Sequence, residues 1–252
     1  VQFVIGPDGP LFTFYGILPD WLLTSGFNTK NAMSLEGRIY KANGFFLIEP
    51  STFSQYLCLA ALFEMVFFGA TRRFYLYLAA LPFSYSGTGM LVLLPLLPLA
   101  LVARQRWKTI AGIAGLIVFG ALTADLWHAD ALFSRVNEFG ADNSSATARF
   151  IAGSWLIRDF QLDRAVDLLF GMGPGSIRLY MRLVPYEAHD PPWAKLPFEY
   201  GVVGMAAFLV FGAACLAQAR SAWMVAALVI GFFTFGGTLL DPRFQVLLLT
   251  FC

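Results

Sequence analysis

From Phe74 to Ala103 the chain runs for 30 residues without a charged side chain. A helix at the surface of a soluble core needs a polar face opposite its apolar stripe, and this stretch has none. A bilayer accepts it, since about 20 apolar residues cross the hydrocarbon. Further apolar runs cover 53–70, 109–126, 196–216 and 222–240, and another opens at 244. Charged residues make up 13% of the 252 and hydrophobic ones 58%, whereas soluble domains carry roughly 25% charge. The expected fold class is therefore all-α, a polytopic integral membrane helical bundle.

Composition excludes collagen, disordered polymer and disulfide framework. A net charge of +1 gives no polybasic surface for nucleic acid. Cys58, Cys215 and Cys252 all lie in apolar runs and form neither a disulfide set nor a metal site. No signal peptide opens the sequence at Val1, and the closing FQVLLLTFC is half of a spanning helix. The expectation is a fragment of a longer membrane protein, cut at both ends.

Arg72-Arg73, the group Arg104, Arg106 and Lys108, and Arg220 are short basic clusters without acid. The positive-inside rule places all of them in the cytoplasm. Arg73 and Arg104 share a side only if the intervening run turns back. Ser84-Tyr85-Ser86-Gly87-Thr88-Gly89 interrupts it with small residues that suit a turn, giving two short passes, 74–86 and 88–103. Residues 1–50 and a long loop over 128–195 then fall outside, separated by spans over 51–127 and followed by spans over 196–252. A loop of that length between spans points to function.

Local signals fill in the outer segments. Residues 1–10 read as strand and turn, and 11–23 as a short interfacial helix. In the large loop, Asn143 or Ser144 is positioned to cap a helix over 147–160, with Phe150, Ile151, Trp155 and Leu156 at helical spacing. A second helix over 162–170 meets a stop at Gly171-Met-Gly-Pro-Gly175.

Three polar clusters carry candidate chemistry. Glu49 and Ser51 precede the first span, and Arg38 and Lys41 bring two cations to the same outer surface. The plain structural reading makes Ser51 a helix cap and Glu49 a partner of the helix dipole. Ser86 and Thr88 flank a Gly-Thr-Gly turn whose N–H groups could hold an anion, although no Gly-Lys-Ser/Thr follows as in a nucleotide-binding loop; a merely structural turn is the competing reading. In the large loop stand Arg149, Arg158, His189 and Asp190. Arg149 as a solvated helix residue and His189 as a surface histidine are the alternatives. Asp159, Asp163 and Asp167 recur every four residues as an exposed helical face. Nothing spaces ligands for zinc, and no Asp-x-Asp pair offers a hard metal site. Glu64, inside the first run, must face protein or water, or snorkel.

The order of these clusters is more specific than any one of them. Gly-Phe-Phe-Leu-Ile-Glu-Pro-Ser ahead of a span is followed by Ser-Tyr-Ser-Gly-Thr-Gly at a span junction. Then come Ala-Thr-Ala-Arg-Phe, Gly-Met-Gly-Pro-Gly, and His-Asp leading to Phe-Glu-Tyr-Gly-Val-Val-Gly. From Arg38 to Gly204 this resembles the superfamily of O-antigen polymerases and O-antigen ligases, with the Glu-Pro-Ser and Ser-Gly-Thr-Gly forms closer to the polymerases. The resemblance implies a glycosyltransferase-C-like bundle in the bacterial inner membrane with its active site facing the periplasm. Its donor would be an oligosaccharide on undecaprenyl diphosphate, moved to an acceptor sugar hydroxyl. Membrane lipid and a chain-length regulator would be its partners. By motif, Arg149 matches the family's loop arginine, His189 its loop histidine and Arg38 an arginine ahead of the Pro motif.

The chemistry agrees with that assignment. An arginine fork holds phosphate oxygens in bidentate fashion, and such stabilisation is worth about 3–4 kcal/mol per donor. A positioned base such as His189, Asp190 or Glu49 would speed attack by a sugar hydroxyl by roughly 10²–10⁴-fold. Arg38, Lys41, Ser51, Ser86, Thr88 and Arg158 are the expected substrate contacts, and the transfer is expected to need neither metal nor cofactor. Ligase-type transfer to another acceptor, a transporter of the same lipid-linked sugar, and a membrane anchor with an external domain are the competing readings.

Overall fold

The computed structural model describes residues 18–22, 31–32, 40–44, 47, 49–103, 106–129, 145–235, 240 and 242–251. They are mostly helical, with a single short antiparallel ladder in which β1 (Asn31–Ala32) pairs with β2 (Tyr40–Lys41). The strand expected over 1–10 lies outside the described residues. So does most of the helix expected over 11–23, of which a 3-10 turn at Asp20–Leu22 is seen. The chain divides into two compact units, 1–134 and 135–252.

The first unit is organised around α1 (Pro50–Phe67). Pro50 fits the first helical position because no intrahelical partner exists there for an N–H. Leu57, Cys58, Ala61, Leu62 and Met65 are buried along it. Two short elements follow: α2 (Arg72–Ala80), then a 3-10 turn over Pro82–Ser84. Glu64 is buried at 6% exposure and faces protein: its carboxylate accepts the Thr71 hydroxyl at 2.6 Å. Thr71 in turn caps α2 by accepting the Phe74 N–H at 3.3 Å. A buried acid in an apolar helix is thereby satisfied by the turn that ends it.

Next come α3 (Gly87–Ala103) and α4 (Trp107–Leu122). The interruption of the 30-residue run is real, but it lies at residues 81–86. Tyr85 takes the left-handed conformation, is buried, and donates its hydroxyl to the Trp127 carbonyl. Gly87, Thr88 and Gly89 form the first turn of α3, not a Gly-Thr-Gly turn. At nine residues α2 is about 14 Å long, far short of the expected pass over 74–86. The helices α3 and α4, at 17 and 16 residues, reach about 24–26 Å. Ile117, Val118, Phe119 and Leu122 on α4 are exposed.

In the second unit the expected helix over 147–160 is broken at Ile151 into α5 (Ser145–Phe150) and α6 (Ala152–Phe160). The cap expected at Asn143 or Ser144 lies outside the described residues. The helices α7 (Ala165–Phe170) and α8 (Ser176–Tyr180) follow. Ala152, Leu156, Ile177, Ala188, Ala194 and Phe198 form a core flanked by Trp155, Phe160, Tyr180 and Trp193. The 27-residue α9 (Pro192–Gln218) is long and apolar enough to cross a membrane. Then come α10 (Ala222–Ile230), a π turn over Gly231–Phe235, and α11 (Pro242–Phe251). Asp159, Asp163 and Asp167 do not share a helical face, because Asp163 lies in the turn between α6 and α7.

Helix α9 is kinked at Gly201, whose φ is +68°. Unbroken helix would pair the carbonyls of Pro197, Phe198 and Glu199 with the N–H groups four residues on. At the kink they find other donors. Gln161 Nε2 reaches the Pro197 carbonyl at 2.8 Å, Met172 N reaches Phe198 at 2.8 Å, and Gly173 N reaches Glu199 at 3.1 Å. Gly171, at φ +83°, makes this approach possible. A Cβ on Gly171 would stand 2.3 Å from the Glu199 carbonyl, and one on Gly201 2.2 Å from the Leu169 carbonyl oxygen. The two glycines are each other's clearance, and that close approach lets Gln161, Met172 and Gly173 bond the carbonyls at the kink.

Candidate functional site

In the first unit, the start of α1 is built around Glu49. It is the extended N-cap residue, and its side chain makes no cap bond. Ser51 does not cap the helix either: its hydroxyl donates to Glu49 Oε2 at 2.8 Å. Buried Ser54 donates to the Ser51 carbonyl at 3.0 Å and accepts the Gly89 N–H at 2.9 Å. This bond joins α1 to the first turn of α3 and occupies one of the N–H groups expected to hold an anion. Ser86 and Thr88 lie beside it, with their hydroxyls 3.3 Å apart. The Ala42 N–H donates to the Phe83 carbonyl at 3.0 Å, which brings half-buried Lys41 to the same interruption. Asn43, fully buried, holds that segment by donating to the Leu47 carbonyl at 2.9 Å. Glu49, Ser51, Ser86, Thr88 and Lys41 are thus gathered at one end of α1 and α3 by the Ser54–Gly89 and Ala42–Phe83 bonds. Arg38 lies outside the described residues.

In the second unit, half-buried Arg149 is in the last turn of α5. Two bonds pin that turn: the His189 N–H donates to the Ala148 carbonyl at 3.1 Å, and Trp193 Nε1 donates to the Arg149 carbonyl at 3.1 Å. Arg149 and His189 are therefore neighbours by backbone pairing, immediately ahead of α9. His189 Nε2 lies 3.7 Å from Glu187 Oε1, so a carboxylate stands beside the ring.

Asp190 is not an open base. Its Oδ2 accepts Arg178 Nε at 3.0 Å, with Lys195 Nζ at 3.7 Å. Lys195 also approaches Glu199 Oε1 at 4.0 Å, four residues along α9. Glu199 is 1% exposed, and that oxygen has no hydrogen-bond partner. A chain of alternating charge, Arg178–Asp190–Lys195–Glu199, therefore runs from the exposed surface to a buried carboxylate. Asp190 is placed to hold Arg178 and Lys195.

Arg158 stands apart from this group. It pairs with Asp159 at 2.8 Å and is largely exposed. Asp159 also receives the Tyr186 hydroxyl at 3.3 Å. Burial, reinforced by the Asp159 carboxylate, pushes the Tyr186 phenol above its ordinary range.

Sequence reasoning passed over Arg178, Lys195, Glu199 and Ser54. Lys195 and Glu199 did carry a signal, two opposite charges at helical spacing where an apolar run begins. No protein-family model, curated protein or solved structure matches the chain.

Proposed function

We propose that the chain is a polysaccharide polymerase of the bacterial inner membrane, a multi-pass bundle acting at its periplasmic face. It moves a saccharide from undecaprenyl diphosphate to a sugar hydroxyl of an acceptor repeat unit. The observation that supports this best is the pinning of the Arg149 turn to His189 and Trp193, which sets an arginine and a histidine side by side at the mouth of an apolar helix. A lipid-linked diphosphate presents its charge at that level, where acyl chain gives way to headgroup.

In this reading Arg149 clamps the diphosphate with its planar fork. The acceptor oxygen attacks the anomeric carbon as the bond from that carbon to the phosphate oxygen breaks. The electron pair leaves with the lipid diphosphate, and the hydroxyl proton passes to the His189 ring.

The clamp predicts that Arg149→Lys fails nearly as badly as Arg149→Ala, because lysine offers a point charge without the fork. The readout is polysaccharide length on a gel, in a strain lacking its own polymerase, with expression of each variant checked. Normal ladders from well-expressed Arg149→Ala protein would end the assignment of this residue. The break at Gly201 favours a second reading, since discontinuous helices are common at the binding sites of transporters. Detergent-solubilised protein with lipid-linked repeat unit separates the two: a polymerase still builds polymer, and a transporter without a membrane to cross builds none.

A further inference from the structure

The short helices between Gln161 and Leu183 expose large apolar side chains on their outer side. Val166, Leu169 and Phe170 on α7 follow i, i+3, i+4 spacing and are 69%, 47% and 64% exposed. Leu179 and Leu183, four residues apart, are 62% and 69% exposed, and Leu162 is 52% exposed. The opposite side is packed: Ile177 is fully buried in the core, and Gln161 is buried with its Nε2 donating to two carbonyls. These helices therefore carry apolar residues inside and out, which water alone does not explain.

Their position relative to α9 identifies what covers them. From Tyr200 to Ala217 no charged residue occurs, and Glu199 and Arg220 bound the stretch. Gly201 to Gln218 is about 27 Å of helix, close to the roughly 30 Å of a hydrocarbon core. If α9 spans, Gly201 sits at the boundary between acyl chain and headgroup. The backbone of Leu169 and Phe170 packs against Gly201, and that of Gly171 against Glu199 and Tyr200. Helix α7 is thus fixed at that depth, and α8 also packs on α9. Beside these apolar residues stand the exposed cations Arg164, Arg178 and Arg182.

We propose that this face, made by Leu162, Val166, Leu169, Phe170, Leu179 and Leu183, is a bilayer-docking surface. It lies in the interfacial layer with its apolar side chains among the upper acyl carbons, and Arg164 and Arg182 reach lipid phosphates. The proposal rests on α9 crossing the membrane, which is part of the functional reading above. It does not require the chain to be a polymerase. Its consequence is that the segment around the Arg178–Asp190–Lys195 chain is held level with lipid headgroups.

The test uses the full chain with Cys58, Cys215 and Cys252 replaced by Ala, reconstituted into phosphatidylethanolamine–phosphatidylglycerol vesicles. Single nitroxides at Val166, Phe170, Leu179 and Leu183 are compared with Asp163 as a water reference and Val210 as a mid-span reference. The readout is the ratio of accessibility to oxygen over that to a water-soluble nickel chelate. The proposal expects the four apolar positions to shift toward the Val210 ratio, at a shallower depth, while Asp163 stays aqueous. Aqueous ratios at the four positions with Val210 in lipid would overturn the docking surface and leave the span standing. An aqueous ratio at Val210 would overturn both. Low access to both reagents at the four positions would show that protein covers the face, and would overturn the proposal as well.

Discussion

Gly171 and Gly201 show how much of the second unit hangs on two residues. Each has positive φ, and each lies where a Cβ would strike backbone at 2.2–2.3 Å. Backbone cannot swing aside as a flexible side chain does, so Gly171→Ala and Gly201→Ala should each cost more than the 1–3 kcal/mol typical of a strained φ alone. The expected outcome is a large fall in thermal midpoint in detergent, with Gly175→Ala as control. Gly175 has φ +78° but nothing within 4 Å of a Cβ, and its cost should stay near that of strain alone. Equal midpoints for all three variants would remove the clearance argument.

A second residue-scale prediction concerns Tyr186. Its phenol titrates above the ordinary tyrosine range, first because of burial and then because of Asp159. A raised folded pKa means that the native state holds the proton longer than the unfolded chain. The associated stability is complete below pH ~10, the unfolded tyrosine value, and is lost as pH rises through the folded value. In a difference titration of phenolate absorbance, wild type minus Tyr186→Phe, this group should ionise late. Asp159→Asn should bring it only part of the way back, because burial remains. Full return would make the carboxylate the main cause.

At the scale of elements, the apolar runs were legible because a helix in lipid needs little beyond length and the absence of charge. The breaks were legible only where composition announced them. Ser84–Gly89 signals an interruption by its small polar residues, yet the break came at Leu81–Ser86, with Tyr85 rather than a glycine left-handed. The kink at Gly201 has no local signal, since Tyr-Gly-Val-Val-Gly reads as ordinary spanning helix. It depends on Gln161 and the Met172 and Gly173 amides, up to 40 residues away in sequence. For the same reason the candidate site was half legible. Residue types and order singled out Arg149 and His189. The occupation of Asp190 by Arg178 and Lys195 comes from tertiary packing that no spacing rule encodes.

The contact of α1 with α3 gives the element-scale test. Ser54 and Gly89 touch so closely that a Cβ on Gly89 would lie 2.2 Å from the Ser54 carbonyl oxygen. Gly89→Ala should force α1 and α3 apart and break the bond between the Gly89 N–H and the Ser54 hydroxyl. Ser54→Ala removes only the hydroxyl and leaves one buried N–H unsatisfied, at about 1–3 kcal/mol. Thermal midpoints should therefore fall further for Gly89→Ala than for Ser54→Ala. The reverse order would mean that the hydroxyl, rather than the clearance, holds the two helices together.

For the whole molecule, the proposed membrane topology assigns a side to the polar residues of each unit. The positive-inside assignment requires the chain to turn back between Arg73 and Arg104. The break at 81–86 supplies a turn, and the Ala42–Phe83 and Ser54–Gly89 bonds set it beside the start of α1, so α2 and the break lead back to the end from which α1 starts. The proposed topology therefore expects Asn31 on the outer side with Arg73 and Arg106 on the inner one, and Pro185 on the outer side with Arg220 on the inner one. Single cysteines at Asn31 and Pro185, in a background with Cys58, Cys215 and Cys252 replaced by Ala, should both react with an impermeant maleimide in intact spheroplasts. A cysteine at Arg220 should react only after lysis. Protection of Asn31 with labelling at Pro185 would mean that the stretch from Arg72 to Ala103 crosses once in net. Lys41, Glu49 and Ser51 would then face the cytoplasm, which would end their expected roles as periplasmic base and substrate contacts.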